Sequence, residues 1–287
     1  MNVDAELVPG PSQEGVGVGI AVAAPAAPES LPDGWEAATQ FHKLKRTLPR
    51  HLRAEVEDRA VAAILERARA LVRHAARPTV GRVEGWPAEG ELDLDATLEQ
   101  PRPWAAGDLQ VARTAPREAD VVLILDMSLS MTGEKIALVA LAAAILRLKV
   151  ERLAVVSFDT HAHALVRLAE AAPVREVVRR ILRVPAQGYT NIEAGLLCGL
   201  ERLREGSQRE RVGVLMTDGV ANVGAEPSAA ARRFPRLHVV QVGPEEPQGT
   251  RACARMAEAG RGRVYRAVLY QQLPGVMRVL VRQCFGG

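Results

Sequence analysis

The chain has 287 residues, a formal net charge of +3 and 48% hydrophobic residues, which is ample material for a buried core. Aromatic residues make up only 3%, so that core must consist mainly of alanine, valine and leucine. The near balance of 37 basic and 34 acidic residues gives no argument for nucleic-acid binding. The three cysteines are widely spaced, which argues against a disulfide framework or a zinc site and fits a reducing compartment.

The amino-terminal segment, residues 1–33, is rich in proline, glycine and alanine without periodicity, and we predict it to be disordered. Its apolar stretch 15–28 follows acidic rather than basic residues, which is not typical of a secretory signal. No apolar run in the chain reaches the roughly 18 residues that a membrane helix needs. These features together predict a cytoplasmic protein without a membrane span.

Residues 34–118 are predicted to be a helical region followed by a connector. Apolar residues recur at spacings of three and four between positions 44 and 72, which predicts amphipathic helices, and Pro49 is expected to separate two of them. The opposite face of these helices is rich in arginine and lysine. A solvated helix face is the simpler interpretation, and a docking surface for an acidic partner or nucleic acid is the alternative.

The connector, residues 78–118, combines prolines with a patch of acidic residues. This patch offers the basic helices a partner within the chain. Short strands are expected near 91–98 and 109–113.

Residues 119–287 alternate strand and helix patterns, with helices of about ten to fifteen residues, which predicts an α/β fold with a doubly wound, mostly parallel sheet. Residues 161–168 alternate polar and apolar side chains, as a half-exposed antiparallel edge strand does. We therefore expect a six-stranded sheet with one antiparallel edge strand. The predicted strands are 121–126, 153–158, 161–168, 212–216, 237–242 and 263–268.

Oxygen-bearing side chains follow the first of these strands. Residues 121–125 are an unbroken apolar run, typical of a strand buried on both faces of a sheet, and Asp126 comes next, with Ser128 and Ser130 at alternate positions. The carboxyl ends of parallel strands form the ligand crevice of such folds. Hard cations prefer oxygen ligands, so this pattern indicates a cation site.

Two further positions complete the pattern: Thr190, in the loop before a predicted helix, and Asp218, directly after a predicted strand. Together with Asp126, Ser128 and Ser130, they resemble the metal-ion-dependent adhesion site (MIDAS) of von Willebrand factor A (VWA) domains. The resemblance implies a Rossmann-like VWA fold whose five site residues bind Mg2+, with Mn2+ or Ca2+ as alternatives. It also implies that an aspartate or glutamate of a protein partner binds the metal.

The sequence departs from the family pattern at Leu129, where many members carry glycine, but this change removes no oxygen ligand. The competing interpretation of Ser130 and Thr190 is that they only cap helices. His161 and His163 share a face of the predicted edge strand, but no third ligand accompanies them, so we interpret them as surface residues.

Several enzyme classes are excluded by missing groups. Position 128 is serine, whereas a haloacid-dehalogenase-type phosphotransferase needs a second aspartate there. The phosphate-binding loop of nucleotidases, the nucleophile elbow of hydrolases and the dinucleotide-binding glycine pattern are absent from the sequence. We therefore predict a protein that is not an enzyme.

The amino-terminal helices and the connector stretch 90–99 resemble those of bacterial CoxE-like proteins. That resemblance implies an adaptor or co-chaperone of a MoxR-type AAA+ ATPase, acting in complex remodelling or metalloenzyme maturation, with the ATPase or its client supplying the acidic side chain. One alternative is a non-ATPase VWA subunit of a metal-chelatase-like insertion complex, although the roughly 118 residues before the sheet are too few for an ATPase domain. Another is nucleic-acid binding through the basic helices, which would show a steep salt dependence.

Overall fold

The structure is a computed structural model that describes most of the chain from Leu31 onward. The predicted disordered segment lies almost entirely outside the described residues, as does most of the connector with its acidic patch. The domain limits given above therefore remain predictions. The described residues are 31–73, 79–82, 91–92, 110–113, 117–128, 133–186, 188–208, 210–244 and 246–285.

The amino-terminal part of the described chain contains two helices and a small antiparallel sheet of strand order β1–β3–β2. The break between the helices contains Pro49, which confirms the predicted boundary. Of the two strands expected in the connector, Glu91–Leu92 and Gln110–Arg113 are described as strand, and the other positions of these predictions lie outside the described residues. The elements are α1 (Gly34–Leu44), α2 (Arg50–Arg73), β1 (Thr79–Arg82), β2 (Glu91–Leu92) and β3 (Gln110–Arg113).

The remaining elements form a sheet flanked by helices on both faces. They are β4 (Arg117–Asp126), α3 (Glu134–Arg147), β5 (Val150–Phe158), β6 (Ala162–Val166), α4 (Val174–Arg183), α5 (Ile192–Arg204), β7 (Glu210–Thr217), α6 (Pro227–Ala231), β8 (Leu237–Val242), α7 (Pro247–Ala259), β9 (Val264–Ala267) and α8 (Leu273–Phe285). Short 3-10 turns lie at Leu168–Glu170 and Tyr270–Gln272.

The large sheet has six strands in the order β6–β5–β4–β7–β8–β9. Five of them are parallel, and β6 pairs with β5 in the antiparallel direction. This arrangement confirms the predicted fold class, including the antiparallel edge strand. Strand β4 is hydrogen-bonded to β5 on one side and to β7 on the other, and residues 121–125 are fully buried.

Helix α3 is buried on all its faces. Every residue from Ile136 to Leu146 is buried, as expected for a helix that is apolar all round. Its inner side packs toward the sheet, and α1 and α2 cover it from outside. Phe41 of α1 and Ile64 of α2 belong to the same hydrophobic core as α3. The two amino-terminal helices therefore form a further layer over the sheet domain.

Ion pairs fasten α2 to α4. The buried carboxylate of Glu57 accepts two hydrogen bonds from Arg183, at 2.7 and 2.9 Å. Asp58, one residue further along α2, accepts hydrogen bonds from Arg179 at 2.8 Å and from Arg175 at 3.2 Å. Acidic residues of α2 thus meet a basic face of α4.

Lys45, just after α1, holds the end of α4. Its ammonium group donates hydrogen bonds to the carbonyl oxygens of Leu182, Arg183 and Val184, at 3.0, 3.3 and 2.9 Å. Carbonyls in the last turn of a helix lack partners within that helix. Lys45 therefore supplies the missing donors and fixes α4 to the turn between α1 and α2.

No helix among the described residues is both long enough and apolar enough to cross a membrane.

Glu57→Gln is expected to lower the free energy of unfolding by about 2 kcal/mol, because it leaves Arg183 without a charged acceptor. The loss stays below that of a fully buried pair because the Arg183 side chain is 60% exposed. Glu55→Gln is the matched control on the same helix, since Glu55 forms only an exposed pair with Arg59, and it should cost less than about 0.5 kcal/mol. Urea denaturation measures the free energy of unfolding of both variants, and equal losses would contradict a stabilising role of the Glu57–Arg183 pair.

Candidate metal centre

Asp126 is the last residue of β4 and is buried. Its Oδ1 accepts a hydrogen bond from the Ser128 amide at 3.1 Å, and its Oδ2 accepts one from the Thr217 hydroxyl at 2.9 Å. The next amide, that of Met127, continues the sheet by donating to the carbonyl of Phe158 at 2.8 Å. The carboxylate is therefore fixed by Ser128 and Thr217, and the backbone that follows it is fixed by the end of β5.

Ser128 follows on the same loop and is also buried. Ser130, the third residue of the predicted motif, lies outside the described residues, as does Leu129. The chain is described again from Gly133, which is the N-cap of α3 and adopts a φ of 60°.

Thr190 is buried in the loop that enters α5. Its backbone is clamped by Asn222: the Thr190 amide donates to the side-chain oxygen of Asn222 at 3.3 Å, and the Asn222 amide donates to the Thr190 carbonyl at 3.0 Å. The N-cap of α5 is Asn191, whose side chain accepts a hydrogen bond from Ala194 at 3.1 Å. The helix is thus capped without the Thr190 hydroxyl.

Asp218 follows β7 directly, and its Oδ1 accepts a hydrogen bond from the Val220 amide at 2.9 Å. Between them, Gly219 has a φ of 86°, and its amide donates to the Thr217 hydroxyl at 3.1 Å. A Cβ at position 219 would lie 2.4 Å from the carbonyl oxygen of Gly249. Only glycine fits this turn, which sets the direction of the Asp218 side chain.

The two carboxyl groups influence each other electrostatically. Burial raises the pKa of Asp126 to about 6, and the negative charge of Asp218 adds to that rise, whereas hydrogen bonds from Thr217 and Ser128 oppose it. Burial also raises the pKa of Asp218; the charge of Glu246 acts in the same direction, and Lys135 in the first turn of α3 acts against it. Two partly desolvated carboxylates side by side are costly unless a cation accompanies them.

The side chains predicted to bind the metal offer only oxygen atoms as ligands. Within the described part of the chain, no three His, Cys, Asp or Glu side chains cluster closely enough to hold a metal ion by themselves. A metal at this site would therefore depend on the hydroxyl oxygens of Ser128 and Thr190 as well as on the carboxylates. Such a set of neutral and anionic oxygens fits a hard divalent cation.

The structure thus brings Asp126, Ser128, Thr190 and Asp218 to the carboxyl edge of the sheet, on the loops predicted for them. The sequence reasoning missed Thr217 and Asn222, which orient these residues. Thr217 stood beside Asp218 in the predicted motif and could have been found from that position. Asn222 contacts Thr190 across 32 residues of sequence, and no local pattern signals such a contact.

A family model described as "VWA domain containing CoxE-like protein" matches residues 58–267. No curated protein sequence matches the chain. Among solved structures, proximal thread matrix protein 1 from the mussel byssus is similar, with a TM-score of 0.51 and 19% identity over 58% of this chain and 48% of that chain. The chain thus spans about half the length of the mussel protein.

Another structure of the same mussel protein, described with a zinc-occupied MIDAS motif, has a TM-score of 0.51 at 17% identity, over 58% of this chain and 48% of that chain. BatB from Bacteroides thetaiotaomicron has a TM-score of 0.46 at 15% identity, over 57% of this chain and 98% of that chain. At such identities the mussel protein supports the fold and says nothing about the ligand of this chain.

Gly219→Ala is expected to destabilise the protein by about 3 kcal/mol, because alanine disfavours the positive φ and its Cβ meets a backbone oxygen that cannot move aside. Gly275→Ala is the control. A Cβ at that position in α8 meets no described atom within 4 Å, so stability should stay equal or rise slightly. Thermal unfolding of both variants is the measurement, and a Gly219→Ala protein as stable as wild type would contradict the proposed turn.

Proposed function

Because this chain belongs to the family of VWA domain containing CoxE-like proteins, we propose that it is a non-catalytic, Mg2+-dependent adaptor that binds an acidic side chain of a protein partner. The partner is a MoxR-type AAA+ ATPase or its client in the cytoplasm, and the pair remodels complexes or matures a metalloenzyme. The observation that carries the proposal is geometric: the buried Asp126 ends β4 and the partly buried Asp218 directly follows the adjacent strand β7, with the hydroxyl-bearing residues Ser128 and Thr190 at the same edge.

The residues that would hold the ion are Asp126, Ser128, Ser130, Thr190 and Asp218. Two of them are carboxylates and three are neutral hydroxyls. If the aspartates bind partly through water, an Mg2+ ion among them is incompletely neutralised and attracts one more carboxylate at a position that faces solvent. Without a cation, the two aspartates would repel an acidic partner. The bound ion supplies the positive charge that turns this repulsion into attraction, which makes partner binding metal-dependent.

The loop that contains Thr190 also presents an exposed aromatic side chain, which suits a protein-docking site. Tyr189 lies next to Thr190 in the chain and is 64% exposed, which is unusual for a large aromatic side chain. Its amide donates to the Thr160 hydroxyl at 2.9 Å, and Gly188 before it has a φ of 74°, so the backbone of this loop is well fixed. An exposed tyrosine on a fixed loop is the kind of residue that anchors protein interfaces.

Addition of Mg2+ should raise the thermal midpoint of the wild-type protein, by an amount equivalent to about 2.7 kcal/mol at a concentration one hundred times Kd. Asp126→Asn should remove this effect, because the site loses a charged ligand while retaining a side chain of the same shape. Asp120→Asn is the matched control, since Asp120 is a buried aspartate at the other end of β4 that pairs with Arg152 at 2.6 Å. Asp120→Asn should lower the thermal midpoint without Mg2+, and Mg2+ should still raise it as it does in wild type.

Mn2+, Ca2+ and Zn2+ tested in parallel would rank the cations. An Mg2+ effect of equal size in wild type and Asp126→Asn would contradict the metal site.

An affinity capture from native lysate, with and without EDTA, tests the partner. Wild type in Mg2+ should capture an AAA+ ATPase or its client, and Asp126→Asn should not. Tyr189→Ala should retain the thermal effect of Mg2+ while losing about tenfold in partner affinity, because an interface anchor is removed without touching the ligands.

Capture that is the same in every lane would overturn the metal-bridged adaptor. Capture of the other subunits of an insertion complex would assign the chain to the chelatase-like alternative.

A further inference from the structure

A cavity of about 370 Å3 opens between α1, α2 and α4, and none of its lining residues belongs to the metal centre. Four cationic side chains line it, together with a single carboxylate, that of Glu57. Phe41 and Ala54 provide an apolar wall. Its volume lies at the lower end of the range found for small-molecule sites, roughly 300 to 1,000 Å3. The cationic residues are Lys45, Arg50, Arg53 and Arg183.

The single carboxylate is already engaged. Glu57 accepts both of its short hydrogen bonds from Arg183, which leaves three cations of the cavity without a carboxylate partner within the described residues. Lys45 donates only to backbone carbonyls, and burial together with the charge of Arg46 lowers its pKa to about 8. The residues that line the cavity therefore carry more positive than negative charge, with Glu57 as their one carboxylate.

Two arginines at the start of α2 also favour an anion in the cavity. Arg53 donates one hydrogen bond to the Leu48 carbonyl at 3.0 Å, but its Nε is buried and has no hydrogen-bond partner. Arg50 and Arg53 both lie in the first turn of α2, where no acidic residue is present. The amino-terminal end of a helix carries positive partial charge, so basic side chains there are unfavourable and an anion is favoured.

We propose that this cavity binds the phosphate group of a small organic phosphate ester. Three arginines line the cavity, and their guanidinium groups offer the forked donors that recognise phosphate oxygens; the Lys45 ammonium, whose donors are used by backbone carbonyls, contributes its charge. A phosphate ester brings up to two negative charges, whereas a carboxylate brings one and leaves more of the excess uncompensated. The apolar wall and the volume beyond the phosphate itself accommodate the organic part of the ester.

Isothermal titration calorimetry of the full chain with phenyl phosphate, benzoate and inorganic phosphate tests this site. The first two probes share their ring and differ in the anionic group, and inorganic phosphate lacks the ring. Phenyl phosphate should bind more tightly than either of the others. Arg50→Gln and Arg53→Gln should each weaken its binding about tenfold, since each removes a charged hydrogen-bond donor.

Arg69→Gln is the matched control, because Arg69 is an exposed arginine of the same helix that does not line the cavity, and it should change nothing. Arg50 is exposed, so Arg50→Gln should fold and keep the Mg2+ effect on the thermal midpoint, which separates this site from the metal centre.

Equal weakening by all three arginine variants would overturn the proposal in favour of a diffuse basic surface. Benzoate binding as tight as phenyl phosphate would overturn it in favour of a carboxylate site, and undetectable binding of phenyl phosphate would also overturn it.

Discussion

The structure depends on the complete burial of α3. A helix with eleven consecutive buried residues, from Ile136 to Leu146, cannot stand at the surface of a sheet, because one of its faces would remain in water. The covering layer of α1 and α2 follows from this requirement, and so do the ion pairs and the Lys45 contacts that fasten that layer to α4. The covered helix in turn begins just after the loop that contains Ser128, one of the predicted metal ligands.

Most of the sheet could be predicted from local patterns. The apolar run before Asp126 marks a strand buried on both faces, and the alternation around His163 marks the edge strand; both positions and the mixed sheet were predicted correctly. The loops of Asp126 and Asp218 could be placed for the same reason, since side chains directly after parallel strands share one edge. Thr190 lies between two helices, and its place was predicted from the family pattern. Strand limits were less accurate, with β7 two residues longer at its start and one at its end.

What could not be predicted rests on contacts between distant parts of the chain. The pairing of Glu57 with Arg183 joins residues 126 positions apart, so the basic face of the amino-terminal region gave no indication that α2 uses its acids against α4. The same holds for the Asn222 clamp on Thr190. The covering layer, however, could have been inferred from α3 itself. A helix that buries only one face has polar residues on the other, and the central residues of α3 are apolar on every face.

The separation in sequence between the covering helices and their contacts has a consequence for folding. Contacts of α1 and α2 with α4 span 117 to 139 residues, whereas Val121 of β4 pairs with Leu153 of β5, 32 residues further along the chain. Long loops close late, because the entropy cost comes before the contacts that compensate it. We therefore expect β4 and β5 to pair before the amino-terminal helices dock on α4, and the apolar outer side of α3 stays exposed to aggregation until they do. The order of synthesis also delays docking, because the ribosome releases α1 and α2 well before the helices that they pack against have been made.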